Sequence, residues 1–116
     1  MKPPLVIAHR GDSAHRPENT LASFAGALEV GATVIELDVQ LTADGELVVI
    51  HDPQLSRTTS GTGDVRQMRL AEVRAVSAGY PARFGDTWKN ERVPTLGEAL
   101  TPVSYTHLTL PTNREV

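Results

Sequence analysis

The sequence predicts an α/β fold in which short buried strands lead into polar loops and amphipathic helices. Residues 5–8 (Leu-Val-Ile-Ala) form a continuous apolar run that ends at His9, a pattern typical of a buried strand entering a loop. Apolar side chains then recur at helical spacing at Leu21, Phe24, Ala25 and Leu28. Asn19 or Thr20 can cap this helix and Gly31 can end it, so the segment predicts one strand–loop–helix unit.

Two further strands are predicted in the first half of the chain. Residues 33–39 alternate in character, so their apolar side chains face the packing helices while Glu36 and Asp38 share the opposite face. Residues 47–50 form another continuous apolar run, which ends at His51. A histidine or carboxylate side chain therefore lies at or near the end of each predicted strand.

The connection between the second and third strands is too short for an ordinary crossover helix. Only residues 40–46 separate the two runs, whereas parallel neighbours need a dozen or more connecting residues. Either a barrel uses an extended return segment, or an antiparallel hairpin turns at residues 44–45 (Asp-Gly), a type I′ signal that would pair Asp38 with His51. Both arrangements bring the carboxylates and His51 to one end of the sheet.

The second half of the chain predicts a loop followed by two helices. Residues 57–64 are polar and contain glycine, as is typical of a loop. One helix is indicated by apolar residues at Leu70, Val73 and Val76. Gly79 is expected to end it, and residues 95–98 (Thr-Leu-Gly-Glu) have the capping-box spacing that begins the second helix.

Composition narrows the class of protein. The chain has 116 residues, enough for one small domain, and carries 14 acidic against 11 basic residues without a Lys/Arg run, which argues against nucleic-acid binding. It has no cysteine, which excludes disulfides and thiolate chemistry. The longest apolar run near its start, residues 5–8, is too short for a signal-peptide core or a stable membrane insertion. A cytoplasmic location is expected.

The last part of the chain differs from the rest. Residues 103–116 lack the preceding apolar patterning and resemble the conceptual translation of a sequencing-library adapter. We therefore expect a partial domain over residues 1–102 and an artefactual tail over residues 103–116. The alternative is a genuine edge strand around residues 108–110.

Glu36 and Asp38 are candidate metal ligands. Two residues apart on one strand, their Cα atoms would lie about 7 Å apart with both side chains on the same face. Carboxylate oxygens suit Mg²⁺ or Ca²⁺, and the absence of cysteine removes the soft ligands that favour zinc. Solvent-facing acids on a half-exposed sheet are the simpler interpretation of such a pair alone. The neighbouring histidines favour the metal site.

His9 and His51 are candidate catalytic residues, because each follows an apolar strand. Imidazole can both accept and donate a proton near neutral pH, so a pair of histidines can serve as base and acid in one turnover. Arg10 offers a planar donor fork for phosphate, or it pairs with a neighbouring acid such as Glu36. Asp52 either orients His51 or only shapes the turn that follows.

Two residues between the first strand and the first helix are also polar. Glu18 is either a site-lining acid or a surface one. Asn19 is better explained as a helix cap than as a ligand.

With these residues assembled, the chain resembles the N-terminal portion of a glycerophosphodiester phosphodiesterase. The resemblance rests on five segments in order, at residues 9–11 (His-Arg-Gly), 17–20 (Pro-Glu-Asn-Thr), 36–45 (Glu-Leu-Asp-Val-Gln-Leu-Thr-Ala-Asp-Gly), 51–59 (His-Asp-Pro-Gln-Leu-Ser-Arg-Thr-Thr) and 93–100 (Val-Pro-Thr-Leu-Gly-Glu-Ala-Leu). Each is weak alone, but their order and spacing are specific. The resemblance implies a truncated (β/α)8 TIM-type barrel with an insertion within residues 56–92.

The resemblance also implies the roles of single residues. His9 and His51 would carry acid–base catalysis, Glu36 and Asp38 would bind Mg²⁺ or Ca²⁺, and Arg10 would contact phosphate. The substrate would be a small-molecule glycerophosphodiester, hydrolysed to glycerol 3-phosphate and an alcohol, and a further metal-binding glutamate would come from a later strand. The alternatives are a phospholipase-type phosphodiesterase on the same scaffold, and an inactive fragment or a phosphate-ester binding module.

Overall fold

The computed structural model describes residues 6–100, so the predicted tail at residues 103–116 lies outside the described residues. The strands are β1 (Ile7–His9), β2 (Val34–Glu36), β3 (Val39–Leu41) and β4 (Leu47–Val49). The helices are α1 (Leu21–Glu29), α2 (Leu70–Val73), α3 (Pro81–Phe84) and α4 (Leu96–Leu100), with a 3₁₀ turn at Val65–Gln67. Within residues 6–100, no helix combines the length and apolar character that crossing a membrane requires.

Strands β1 and β2 form a parallel pair joined by α1, which confirms the predicted strand–loop–helix unit. Their register places His9 opposite Glu36. The strand predicted over residues 33–39 is interrupted, because β2 ends at Glu36 and β3 begins at Val39. The two candidate carboxylates therefore flank the point where the chain leaves one strand pair for the next.

Strands β3 and β4 form the antiparallel hairpin, which answers the open question about their connection. The predicted register was wrong by one residue, because the Ile50 amide donates to the Asp38 carbonyl at 3.0 Å. The loop holds three residues, since the Thr42 amide donates to the Glu46 carbonyl at 2.9 Å. Gly45 has φ +82°, as expected for a type I turn closed by a left-handed residue rather than a type I′ turn.

Helix α1 is capped by Thr20, whose side chain accepts a hydrogen bond from the Ser23 amide. Its buried face consists of Ser23, Phe24, Gly26 and Ala27. The predicted apolar face was therefore only partly right, because Ala25 is exposed and Leu21 is 37% exposed. Small residues at 23, 26 and 27 let the helix approach its neighbours, a contact that apolar spacing alone does not reveal.

Strand β4 is buried on both faces and separates two hydrophobic clusters. Val48 packs in a cluster with Leu55, Val65, Val73, Ala78 and Val93, whereas Val49 packs with Phe24, Ala27, Ile35 and Ala99. This two-sided burial explains the continuous apolar run in the sequence. The expected insertion region, residues 56–92, thus contributes to one core while α1 and α4 contribute to the other.

The predictions for the later helices α4 and α2 are confirmed to different degrees. The capping box of α4 is confirmed, since the Thr95 amide donates to Glu98 at 2.9 Å and the Glu98 amide donates to Thr95 Oγ1 at 3.1 Å. Helix α2 is shorter than predicted and ends at Val73. The reason is that the backbone of Ser77 and Ala78 hydrogen-bonds to Ser60 and Glu91 instead of continuing the helix.

The turn after β1 requires a glycine at position 11. Gly11 has φ +82°, and a Cβ atom there would lie 2.2 Å from Ser23 Oγ. Gly45 has the same φ with nothing within 4 Å of its added Cβ. We expect Gly45→Ala to cost about 1–2 kcal/mol of unfolding free energy from the backbone alone, and Gly11→Ala to cost about 1–3 kcal/mol more from the clash.

Chemical denaturation of the full-length protein carrying each substitution measures this difference. Equal losses of unfolding free energy in the two variants would contradict the tight contact between the turn and α1.

Candidate active site

The candidate catalytic groups gather at one edge of the strands. His9 is the last residue of β1, Glu36 is the last residue of β2, and His51 follows the end of β4. His9 Nε2 lies 3.2 Å from Glu36 Oε1, and both side chains are at least half exposed. The structure therefore brings one predicted histidine into contact with one predicted metal ligand.

Arg10 joins this edge through a left-handed backbone conformation, with φ +58°. Its Nε lies 3.2 Å from Asp38 Oδ2, and its Nη1 lies 3.4 and 3.5 Å from the two Glu18 oxygens. The alternative that Arg10 pairs with a neighbouring acid is confirmed for Asp38 and Glu18. The example of Glu36 was wrong, because the Arg10 backbone amide donates to the Glu36 carbonyl instead. The buried Nε has no well-aligned hydrogen-bond acceptor in the described residues.

Asn19 holds Asp38 in place. It is 2% exposed, has φ +58°, and donates from Nδ2 to Asp38 Oδ2 at 3.0 Å. Its Oδ1 accepts a 3.4 Å hydrogen bond from the Asp38 amide. Its interpretation as a helix cap is wrong, since Thr20 caps α1. Non-glycine residues with positive φ are uncommon and cluster at functional sites, a signal that the sequence alone does not display.

His51 is oriented by Asp52. His51 Nδ1 lies 2.7 Å from Asp52 Oδ1, and Arg57 Nε donates to Asp52 Oδ2 at 2.8 Å. Hydrogen bonds from Arg57 and then from His51 lower the pKa of Asp52 to about 2. Of the two interpretations of Asp52, contact with His51 is the one that the structure shows.

Arg57 was not selected from the sequence. It donates to both Glu18 oxygens, at 2.8 and 3.0 Å, across 39 positions of the chain. The Glu18 side chain is only 9% exposed, so Glu18 is a site-lining acid rather than a surface one. The available signal was the position of Arg57 inside the segment that begins with His51, but its charge partners could not be inferred without the fold.

Glu36 and Asp38 are ligands of the kind that a hard cation such as Mg²⁺ or Ca²⁺ prefers. Both residues supply carboxylate oxygens, and Asn19 fixes one of them. Within residues 6–100, no group of three His, Asp or Glu side chains forms a complete metal site. Oxygen ligands from elsewhere, including water, would have to complete the coordination.

The arrangement defines an α/β protein in which His9, Glu36 and His51 lie at the carboxyl ends of β1, β2 and β4, the edge where such folds bind ligands. A model of the glycerophosphoryl diester phosphodiesterase family matches residues 9–115. The chain belongs to this family.

Individual relatives agree with this assignment. The chain is 56% identical over 94 residues to a glycerophosphodiester phosphodiesterase of Caldanaerobacter subterraneus subsp. tengcongensis, covering 81% of this chain and 38% of the relative. The Agrobacterium tumefaciens glycerophosphodiester phosphodiesterase structure superposes with a TM-score of 0.79 and 45% identity, covering 84% of this chain and 42% of that one.

A phosphodiesterase from Oleispira antarctica, solved in complex with the product sn-glycerol-3-phosphate, superposes with a TM-score of 0.78 and 46% identity. That match covers 84% of this chain and 38% of the other. The chain thus spans about two fifths of the length of these relatives. Its fold is an N-terminal piece of the TIM-type barrel of the family, which confirms the predicted fold class.

Proposed function

We propose that the full-length protein hydrolyses small-molecule glycerophosphodiesters to glycerol 3-phosphate and an alcohol, with the help of a divalent cation. The observation that carries this proposal is the gathering of two histidines, an arginine and two carboxylates at one edge of the strands. Family membership and the product bound in the Oleispira antarctica relative support the same substrate class. The cytoplasmic location stays a prediction.

The chain's own residues can divide the work of phosphodiester cleavage. One of His9 and His51 takes a proton from a glycerol hydroxyl or a water, and the other gives a proton to the leaving alcohol. Attack by the glycerol hydroxyl would form a cyclic phosphate that water opens. Asp52, ionised through its contacts, accepts a hydrogen bond from the Nδ1–H of His51 and leaves Nε2 free for proton transfer.

Arg10 is the residue proposed to bind the phosphate oxygens. Its side chain is 20% exposed at the edge that carries both histidines, and its contacts with Glu18 are long. Glu36 and Asp38 would hold Mg²⁺ or Ca²⁺, which when bound supplies positive charge to the same phosphate.

An assay of the full-length protein tests the proposal. Glycerophosphodiesters with different alcohols are incubated with the protein, and released glycerol 3-phosphate is measured. Release from several of them is the expected result. Activity on phospholipid headgroups alone would favour the phospholipase-type alternative, and binding without turnover would favour a phosphate-ester binding module.

A further inference from the structure

A continuous row of alternating charges crosses the candidate active site. Its members, in order of contact, are Asp38, Arg10, Glu18, Arg57, Asp52 and His51. The first two belong to the predicted metal and phosphate groups, and the last is a predicted catalytic histidine. Asp52 is the partner of His51, whereas Glu18 and Arg57 have no assigned role in the chemistry.

Glu18 is shared unequally between the two arginines of this row. Arg57 approaches it at 2.8 and 3.0 Å, whereas Arg10 approaches it at 3.4 and 3.5 Å. A nearly buried carboxylate needs a close cation to offset its lost hydration. Because Arg57 supplies that cation with a planar fork, Arg10 is held near Glu18 only loosely and can exchange it for a phosphate.

Arg57 also fixes the other end of the row. Its Nε and Nη2 donate to the two oxygens of Asp52 at 2.8 and 3.2 Å. One Asp52 oxygen lies 2.7 Å from His51 Nδ1, so the carboxylate cannot rotate without breaking contacts on both sides. One guanidinium therefore bridges the acid that orients His51 and the acid that accompanies Arg10.

Arg57 is itself supported from the second half of the chain. The Tyr80 ring lies 5.7 Å from its guanidinium carbon, and the Arg57 Nη1 donates to the Tyr80 hydroxyl at 3.4 Å. Tyr80 has φ +51°, a strained conformation for a bulky residue. Its backbone amide donates a 2.9 Å hydrogen bond to the Thr58 carbonyl, which keeps the ring beside Arg57.

We propose that Arg57 is a positioning residue that sets the orientation of His51 through Asp52 and keeps Arg10 available for phosphate by binding Glu18. The inference rests on the proposed function. It predicts two separable effects, one on the proton-transfer step and one on substrate binding.

Steady-state kinetics of the full-length protein separate these effects. Arg57→Gln should lower kcat by about tenfold or more, because His51 loses its orientation, and should raise KM severalfold, because Arg10 becomes the main partner of Glu18. Arg66→Gln is the matched control, since Arg66 makes a similar forked contact with Asp64 at 2.6–3.2 Å and is exposed in the 3₁₀ turn at Val65–Gln67. It should leave both constants unchanged.

Two further variants test the contact of Arg57 with Asp52 and its contact with Glu18 separately. Asp52→Asn should lower mainly kcat, and Glu18→Gln should alter mainly KM. Arg57→Lys is expected to fold and still to lose at least severalfold in kcat/KM, because a single ammonium lacks the fork that spans both carboxylates.

The outcomes distinguish the inference from the function on which it rests. If Arg57→Gln or Arg57→Lys lowers only the unfolding temperature and leaves kcat and KM unchanged, the positioning role is wrong while the proposed function stands. The inference is equally wrong if Asp52→Asn and Glu18→Gln change the same constant. A wild-type protein that hydrolyses no glycerophosphodiester overturns both.

Discussion

Replacing either His9 or His51 with alanine in the full-length protein is expected to lower turnover of a glycerophosphodiester by about a hundredfold or more. The physical reason is that each histidine would carry one of the two proton transfers, and alanine can neither accept nor donate a proton. His51→Ala additionally leaves Asp52 without the imidazole it contacts at 2.7 Å. Initial rates of glycerol 3-phosphate release at saturating substrate measure the effect.

His15→Ala is the matched control for the histidine variants. His15 Nδ1 lies 2.9 Å from Asp12 Oδ1, so this pair resembles His51 with Asp52, but the His15 side chain is 76% exposed on the loop after β1. Its removal should leave turnover near the wild-type value. Near-normal turnover of His9→Ala or His51→Ala would remove that histidine from the mechanism.

Neutralising the candidate metal ligands is expected to have the second largest effect. Glu36→Gln and Asp38→Asn each remove one of the two carboxylates that this part of the chain offers a cation, and should lower activity by about tenfold to a hundredfold. Asp38→Asn should be the more damaging change, because Asp38 also lies 3.2 Å from Arg10 Nε. Activity across a titration with Mg²⁺ or Ca²⁺ is the measurement.

Removal of the metal by chelation and substitution of a distant acidic residue are the controls for this test. Thorough chelation should abolish turnover, and added Mg²⁺ or Ca²⁺ should restore it in the wild type at lower concentration than in either variant. Glu46→Gln, at an exposed position beside the hairpin turn, should behave as wild type. Activity that survives chelation would remove the metal role from both carboxylates.

The sequence predicted the elements whose signals are local. Apolar runs located β1 and β4, and the spacing of Thr95 and Glu98 located the start of α4, because these signals come from residues close together in the chain. The predicted burial holds for β4 but was wrong for β1, whose Ile7 is 59% exposed because β2 is its one partner strand within residues 6–100. The hairpin was also recognisable, but its register was not. The Thr42 side chain accepts from the Glu46 amide at 3.0 Å and donates to Asp44, which stabilises a three-residue loop.

The positions of the candidate catalytic and metal-binding residues were predictable from the sequence, whereas those of the residues that contact them were not. His9, Glu36 and His51 stand at strand ends, where position follows from the apolar pattern. Arg57 and Glu18 meet across 39 positions. An ion pair between residues so far apart in the chain produces no periodic pattern in the sequence, so only the folded chain identifies these partners.

The backbone at Asn19 restricts which side chains this position tolerates. Glycine, asparagine and aspartate are the residues that adopt a left-handed conformation most readily. Glycine would relax the backbone but could not donate to Asp38, and an ionised aspartate would place a second negative charge against it. Asparagine alone among the three satisfies the backbone and the carboxylate together, so position 19 has almost no freedom to vary while Asp38 keeps its place.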